Sequence, residues 1–588
     1  MSVSNDQDIP ASGAAGLAGV AAREATGGGR RVRRFSADLS AVGEPALWAF
    51  GGALALGIIL ISGFLFMIAW NGMTTFWPKP IEQVELRDGT VLAGVATRGG
   101  PYRVGEDVLL TLDDAQRAEI EGELGIASRT LYKTANFDLY GDDFRWVSDF
   151  EVASLSQPDD FWYFERQVWG VFIGRIAGLT VGGEPREMDR ALLAREHTAA
   201  RERFAQMRRL EQREIGAINH RIERERLAQR RAVLRHGEGS PQSQAAIEAA
   251  QASIAELQAE FQTLQAQVNE IRATDRQYRI QMEEVGGRVV DIELSQIVRL
   301  FPSNDLSLGQ KIGIYFSRWW EFISTEPREA NTQGGVLPAI FGTVAMTLLM
   351  VVFVAPFGVI TALYLREYAK QGRITSLVRI SVNNLAGVPS IVYGVFGLGF
   401  FAYTMGGSID QLFYAENLPN PTFGKGGILW ASLTLALLTV PVVIVATEEA
   451  LSAVPRSMRE GSLACGASKW QTIRYIVLPK AMPGIMTGMI LAMARGAGEV
   501  APLMLVGVVK LAPALPIDGF YPFVHLDRSF MHLGFHIFDV GFQSRNSEAG
   551  KPMVFVTTLL LLALIVTMNA TAIIIRNRLK RKYADGQF

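Results

Sequence analysis

Apolar and polar positions divide this chain into two kinds of text. Six stretches run longer than the roughly 20 residues that a helix needs to cross a bilayer. They are Pro45 to Pro78, Asn331 to Leu365, Ile380 to Ile409, Gly426 to Thr447, Ala481 to Val509 and Pro552 to Ile575. Five carry no charge, and the fifth in order holds only Arg495 and Glu499. The pattern predicts six transmembrane helices, one within 45–78 and the others near 336–365, 380–403, 427–447, 485–509 and 552–575. The first apolar run begins past residue 44 and is too long for a cleaved leader, so no signal peptide is expected.

Residues 79–330, between the first two stretches, are far too many for a loop and are expected to fold as a domain. The pattern there changes twice. Over 84–180, short strand-like runs alternate with turns, as in "VELRDGTVLAGV" with Asp88-Gly89 at its centre, and "GRVVDIELSQIVRLF" resumes that texture over 286–302. From 184 to 285 the period becomes helical. Ile247, Ala250, Ile254, Leu257, Phe261, Leu264, Val268 and Ile271 recur at intervals of three and four, and Tyr278, Met282 and Val285 continue the heptad register. "HGEGSP", His236 to Pro241, interrupts it, which predicts an antiparallel coiled-coil hairpin over 184–285. The first arm holds 14 arginines, no lysine and eight acids between Arg186 and Arg235. That fits a solvated face of internal ion pairs, or docking to an anionic surface or to a partner protein outside the membrane.

Charge then sets orientation. Arg23, Arg30, Arg31, Arg33 and Arg34 precede the first stretch, and "RNRLKRK" follows the sixth. Lysine and arginine stay on the cytoplasmic side, so both termini are expected there, with 1–44 a disordered basic tail. Residues 79–330 then face outward, and the loop 448–480 faces the cytoplasm.

The whole chain balances 57 basic against 58 acidic residues, so it has no general attraction for nucleic acid and no nucleic-acid partner is expected. The single Cys465 excludes an internal disulfide framework and a multi-cysteine metal site. His532 and His536 stand four apart but have no evident third ligand, so a packed or solvated face is expected and no metal. There is no G-x4-G-K-[ST] phosphate loop, Gly-x-Ser-x-Gly elbow, zinc-protease helix or kinase set. No catalytic residue, and no enzyme, is expected.

One loop carries a specific spacing. In "EGSLACGASKWQTIRYIVLP", Glu460 precedes Gly466 by six residues, and Ile476, Leu478 and Pro479 follow. The segment resembles the EAA loop of ABC-importer permeases, with Gly461 and Ser462 in place of its two alanines. "GGVLPAIFGTVAMTLL", "NNLAGVPSIVYGVFGLGF" (Asn383 to Phe400) and "ARGAGEVAPLML" (Ala494 to Leu505) narrow the likeness, over residues 334–580, to PstA-type permeases of the phosphate ABC importer. Val500 stands where that family usually has threonine.

The resemblance implies a permease domain over 331–580 in a bacterial inner membrane. It also implies a coupling helix bearing Glu460, Gly466, Ile476, Leu478 and Pro479 that docks on a separate ATPase, with Gly466 permitting the turn between helices. Further implied are a second homologous permease, an ATPase dimer that holds ATP and Mg, an extracytoplasmic phosphate-binding protein, and no cofactor on this chain.

Arg495 and Glu499 call for a physical account, because each charge at mid-bilayer costs about 2.5 to 3.5 kcal/mol. Four residues apart, they can pair on one helix face. They form either an ion pair locking the bundle or an anion step, in which the guanidinium fork receives phosphate oxygens and Glu499 opposes overly tight retention. Asn384 and Ser390, with Gly387, Pro389 and Tyr393, give the third span a similar mixed character and join the expected substrate pathway.

The expected fold is an all-α polytopic membrane protein, six helices in an ABC-importer permease bundle, with an extracytoplasmic β-rich domain carrying the coiled-coil hairpin. The expected function is alternating-access import of inorganic phosphate through the lipid bilayer. The alternatives are a permease for sulfate or molybdate, and an ABC-linked mechanical transmitter acting on envelope partners through the coiled coil.

Overall fold

The computed structural model describes residues 45–584, apart from 110–111, 113–116, 118–119, 121–124 and 545–546. The expected tail, 1–44, lies outside the described residues. The chain divides into two units, Met1–Leu65 and Phe66–Phe588. The described part of the first, 45–65, is the leading portion of the helix Pro45–Thr74, and the rest of the fold belongs to the second.

Among the described residues six helices are long and apolar enough to cross a membrane: Trp48–Thr74, Leu337–Tyr368, Ser390–Phe413, Ile428–Ser452, Lys469–Gly498 and Glu548–Arg581. The fourth lies at the centre. Its Ala431, Leu435, Leu438, Val443, Ile444 and Leu451 are buried against spans two and five. Without a hydrophobic drive inside lipid, small residues bring such helices together. Accordingly Gly484 and Gly488 of span five face Ala450 and Ala446 of span four.

Three boundaries depart from the sequence expectation. The third span runs Ser390–Phe413 rather than 380–403. Residues Arg373–Leu385 form a separate helix, which ends in a turn where Gly387 N–H donates to the Asn384 carbonyl at 3.0 Å. Pro389 causes the separation, because it offers no N–H and disfavours helical geometry at the residue before it. The fifth span runs Lys469–Gly498 rather than 485–509. It ends where Glu499 turns extended, at φ −80 and ψ 130. Pro502 just beyond blocks continuation, and only the short helix Leu503–Val506 follows. The connection expected over 448–480 narrows to 453–468. Span four continues through Glu448 and Glu449 to Ser452, and Ser468, in a reciprocal cap with Gln471, starts the next helix at Lys469.

Residues 82–302 contain two antiparallel sheets. In the first, the strand order is Phe144–Ser148, Ile126–Lys133, Val91–Arg103, Glu82–Leu86, Val152–Ser156. Asp88-Gly89 turns the chain between Glu82–Leu86 and Val91–Arg103, and Asp88 Oδ1 accepts from Thr90 N–H at 2.8 Å. In the second sheet the order is Val289–Glu293, Arg279–Glu283, Val171–Val181, Trp162–Arg166, Ile297–Pro302. Alternate residues Ile280 and Met282 point into its core beside Phe164, Phe172 and Leu179.

A helical hairpin is inserted in this second sheet. One arm runs from Arg190 to His236 through a wider π turn at Leu210–Ile215, and the other is Pro241–Asp275. Leu257, with Ile254, Phe261 and Leu264, packs on Ile218 and Ile222. Arg221 pairs with Glu260 at 3.3 Å and Arg272 with Glu211 at 2.9 Å, so the arms run in opposite directions. The hairpin is shorter than 184–285. Glu184–Arg186 is an edge strand on Val171–Val181, and Met282 belongs to the strand Arg279–Glu283 rather than to a continued heptad seam.

The helix Leu308–Ser324 leads from the sheets towards span two. Arg318 Nη2 lies 2.6 Å from Glu165 Oε1 and Arg299 Nη2 lies 3.0 Å from Glu321 Oε2. Arg299 also pairs with Glu165, and Arg328 with Glu321, so three guanidinium groups and two carboxylates close one network. Burial alone would raise the Glu165 carboxyl. Arg318 and Arg299 outweigh that and hold it below the usual glutamate range.

Candidate functional site

The charged pair sits at a break rather than within a helix. Arg495 is in the last turn of span five, Gly498 ends the helix, and Glu499 folds back so that its Oε1 stands 3.7 Å from Arg495 Nε. The two side chains are 39% and 23% exposed, so neither charge is sealed in a dry core. Arg495 makes no hydrogen bond among the described residues, which leaves its donor fork open to an incoming group. Pairing on one helical face is therefore replaced by pairing across a helix end. The geometry of a free guanidinium fork suits planar, bidentate hydrogen bonding to an oxyanion.

Span three packs against the segment after the break. Ser390 is its first helical residue and is half-buried, and the buried Tyr393 donates to the Leu385 carbonyl at 2.6 Å. At Gly394 the helix touches the backbone after the break, where a Cβ would lie 2.7 Å from Pro502 Cα. Any larger residue would force span three away from Pro502. Asn384 is exposed on the separate helix Arg373–Leu385, and its side chain makes no hydrogen bond among the described residues. Gly496 packs on Met350 of span two, whereas Gly498 faces open space.

The connection between spans four and five forms a compact corner. Glu460 is exposed on the helix Arg456–Ala464. Gly466, at φ +84, occupies the left-handed region between that helix and the one starting at Lys469. Ile476 lies in a π turn, with Leu478 and Pro479 at the start of the helix that follows. Leu463, Trp470 and Tyr475 are 49%, 55% and 67% exposed, an apolar face that the motif reading passed over.

Two further groups escaped the sequence. The segment after span five packs into the bundle, with Met531, Leu533 and Val540 buried beside Val336, Met553 and Val556. Leu533 N–H donates to Thr343 Oγ1 at 3.0 Å. His532 and His536 are buried here, and no group of metal ligands forms among the described residues. The run "FMHLGFHIF" carried the signal in its aromatic density. The second group is the contact of the hairpin with the turn after span three, where Arg231 Nε donates to Glu416 Oε1 at 2.9 Å. Burial would raise the Glu416 carboxyl, but a backbone N–H and Arg231 hold it below the usual range.

A family model described as the binding-protein-dependent transport system inner membrane component matches residues 354–581. The phosphate transport system permease protein PstA 1 of Mycobacterium tuberculosis (strain CDC 1551 / Oshkosh) is 37% identical over 205 residues, 35% of this chain and 61% of that protein. The probable ABC transporter permease protein YqgH of Bacillus subtilis (strain 168) is 31% identical over 255 residues, 42% of this chain and 78% of that protein. This chain spans about three fifths of the length of the first of these relatives. Among solved structures, an inward-facing MetNI methionine ABC transporter aligns at 18% identity and a TM-score of 0.30, over 42% of this chain and 95% of that one.

Proposed function

Because this chain belongs to the family of binding-protein-dependent transport system inner membrane components, and so is a multi-pass inner membrane protein, we propose that it is the permease subunit of an ATP-driven importer of inorganic phosphate. The observation that carries the reading is the open Arg495 fork held beside Glu499 at the broken end of span five. The relatives named for phosphate transport agree with it.

In this reading both termini are cytoplasmic, and the sheets and coiled-coil hairpin lie outside. The chain pairs with a second permease. An ATPase dimer, which holds ATP and Mg, grips the corner at Glu460, Gly466, Ile476, Leu478 and Pro479, and a phosphate-binding protein delivers from outside. Closure of the ATPase moves spans four and five together, since Gly484 and Gly488 lock them. The pathway by Arg495, Glu499, Ser390 and Asn384 then opens first outward and then inward. Phosphate is moved without chemical change.

Uptake of radiolabelled phosphate by membranes holding the complete transporter tests this. Competition by unlabelled phosphate and not by sulfate is expected, and equal competition by sulfate overturns the phosphate assignment.

A further inference from the structure

Where the first span ends, a cavity of about 450 Å³ opens between residues 74–79, the start of the sixth span and the sheets. Its lining has two chemistries. Phe76, Trp77, Met553 and Phe555 make an apolar side continuous with the two helices. Lys79, Arg98, Lys133 and Lys551 make a cationic side, with Glu548 among them. Glu548 Oε1 lies 2.7 Å from Arg98 Nη2 and 2.6 Å from Lys551 Nζ, so one carboxylate serves two cations. Lys79 Nζ donates to the Ala96 carbonyl at 3.3 Å. Neither Lys79 nor Lys133 has an ion-pair partner among the described residues. The deeper Arg318 and Arg328 are already matched by Glu165 and Glu321.

Surplus positive charge thus gathers where two apolar helices end, the depth at which lipid phosphates lie. A freely dissolved anion would have no use for the apolar side, and a neutral lipid none for the cations. We propose that this cavity holds the headgroup of an anionic phospholipid, its phosphate among Lys79, Arg98 and Lys133 and its first acyl carbons against Phe76 and Met553. The lipid then ties the sheet domain to spans one and six. The site is separate from the Arg495 site and independent of what that site transports.

The test uses the full chain in nanodiscs of phosphatidylcholine with a minor share of phosphatidylglycerol, the retained lipid being counted by native mass spectrometry. Phosphatidylglycerol should be enriched on the parent protein. Each cation near an anionic headgroup is worth roughly fivefold, so Lys79→Gln should lose about that much enrichment and Lys79→Gln with Lys133→Gln more than tenfold. The matching arginine variants should retain it. Millimolar inorganic phosphate should leave the lipid in place. Absence of enrichment on the parent protein, or unchanged enrichment in the double glutamine variant, overturns the proposal. Displacement by inorganic phosphate also overturns it, by assigning the cavity to the free anion.

Discussion

Arg459 reaches from the helix after span four to the end of span two, its Nη2 3.0 Å from Glu367 Oε1 and 2.7 Å from the Leu451 carbonyl oxygen. Its Nη1 donates to the Val454 carbonyl at 2.7 Å. One side chain thus fixes the helix that carries Glu460 against two spans. Charged hydrogen bonds of this kind are worth roughly 1.5 to 3 kcal/mol, enough to shift a positional equilibrium by about tenfold or more. Arg459→Ala should therefore lower uptake by at least several-fold while ATP hydrolysis by the assembled transporter continues. In a double-mutant cycle with Glu367→Ala, the second substitution should add little. Additive losses would show that the pair does not act as a unit.

Glu165 makes the junction between the sheets and span two sensitive to acid. Its carboxyl is held low in the folded protein, so its contribution to stability is full above the unfolded glutamate value, about 4.3, and is lost as pH falls through the lower folded value. Thermal unfolding of the 79–330 region should fall steeply below about pH 4. Glu165→Gln leaves Arg318 and Arg299 short of a partner at nearly buried positions and should cost about 3 kcal/mol at neutral pH. It should also flatten the acid limb, and a full acid limb in that variant would place the titrating group elsewhere.

At its base the hairpin packs Leu193 and Ala200 into the core of the second sheet, and further out its arms close on each other, yet Arg231 touches Glu416 and His220 packs on Phe520 at 5.1 Å. Excising 210–271 and joining Arg209 to Arg272 with a short flexible linker spares the strands Glu184–Arg186 and Arg279–Glu283 and keeps Leu193 and Ala200 in the core of the second sheet. The second sheet should persist, the spans should insert, and uptake should fall by no more than a few-fold. Uptake lost altogether, with insertion and subunit assembly normal, would make the hairpin part of the transport machinery.

Counting uncharged residues found the six membrane helices because charge is costly in lipid, but it is blind to breaks within an uncharged run. Gly387 and Pro389 displace the third span by about ten residues without adding a single charge. The spacing of Tyr278, Met282 and Val285 matches a helix by chance, since a strand burying alternate residues also places apolar side chains four apart. The Arg495–Glu499 spacing was visible. That Glu499 lies beyond the helix end depends on Pro502 and on the packing of Gly394, which is a tertiary fact. Arg459 and Glu367 are 92 residues apart in sequence, and Arg318 and Glu165 are 153 apart, so neither pair could be matched from charge alone.

The exposure of Arg495 and Glu499 sharpens the test of their role. A pair this open to solvent contributes no more than about 1 kcal/mol to stability, so Arg495→Ala should fold and assemble almost normally. If the pair only fastens the end of span five, removing both charges together should leave uptake nearly intact, since neither is left alone. If the fork receives phosphate, uptake should be abolished in Arg495→Ala and remain abolished in the double alanine variant, while the ATPase still responds to the binding protein. Arg495→Lys keeps the charge but loses the planar fork, so uptake should fall by about tenfold or more. Glu499→Gln leaves the fork in place and weakens the opposing charge, so the anion should be held longer and turnover should drop at saturating phosphate. Near-normal uptake in the double alanine variant would remove Arg495 from the anion's path and leave the pair as a helix-end clasp.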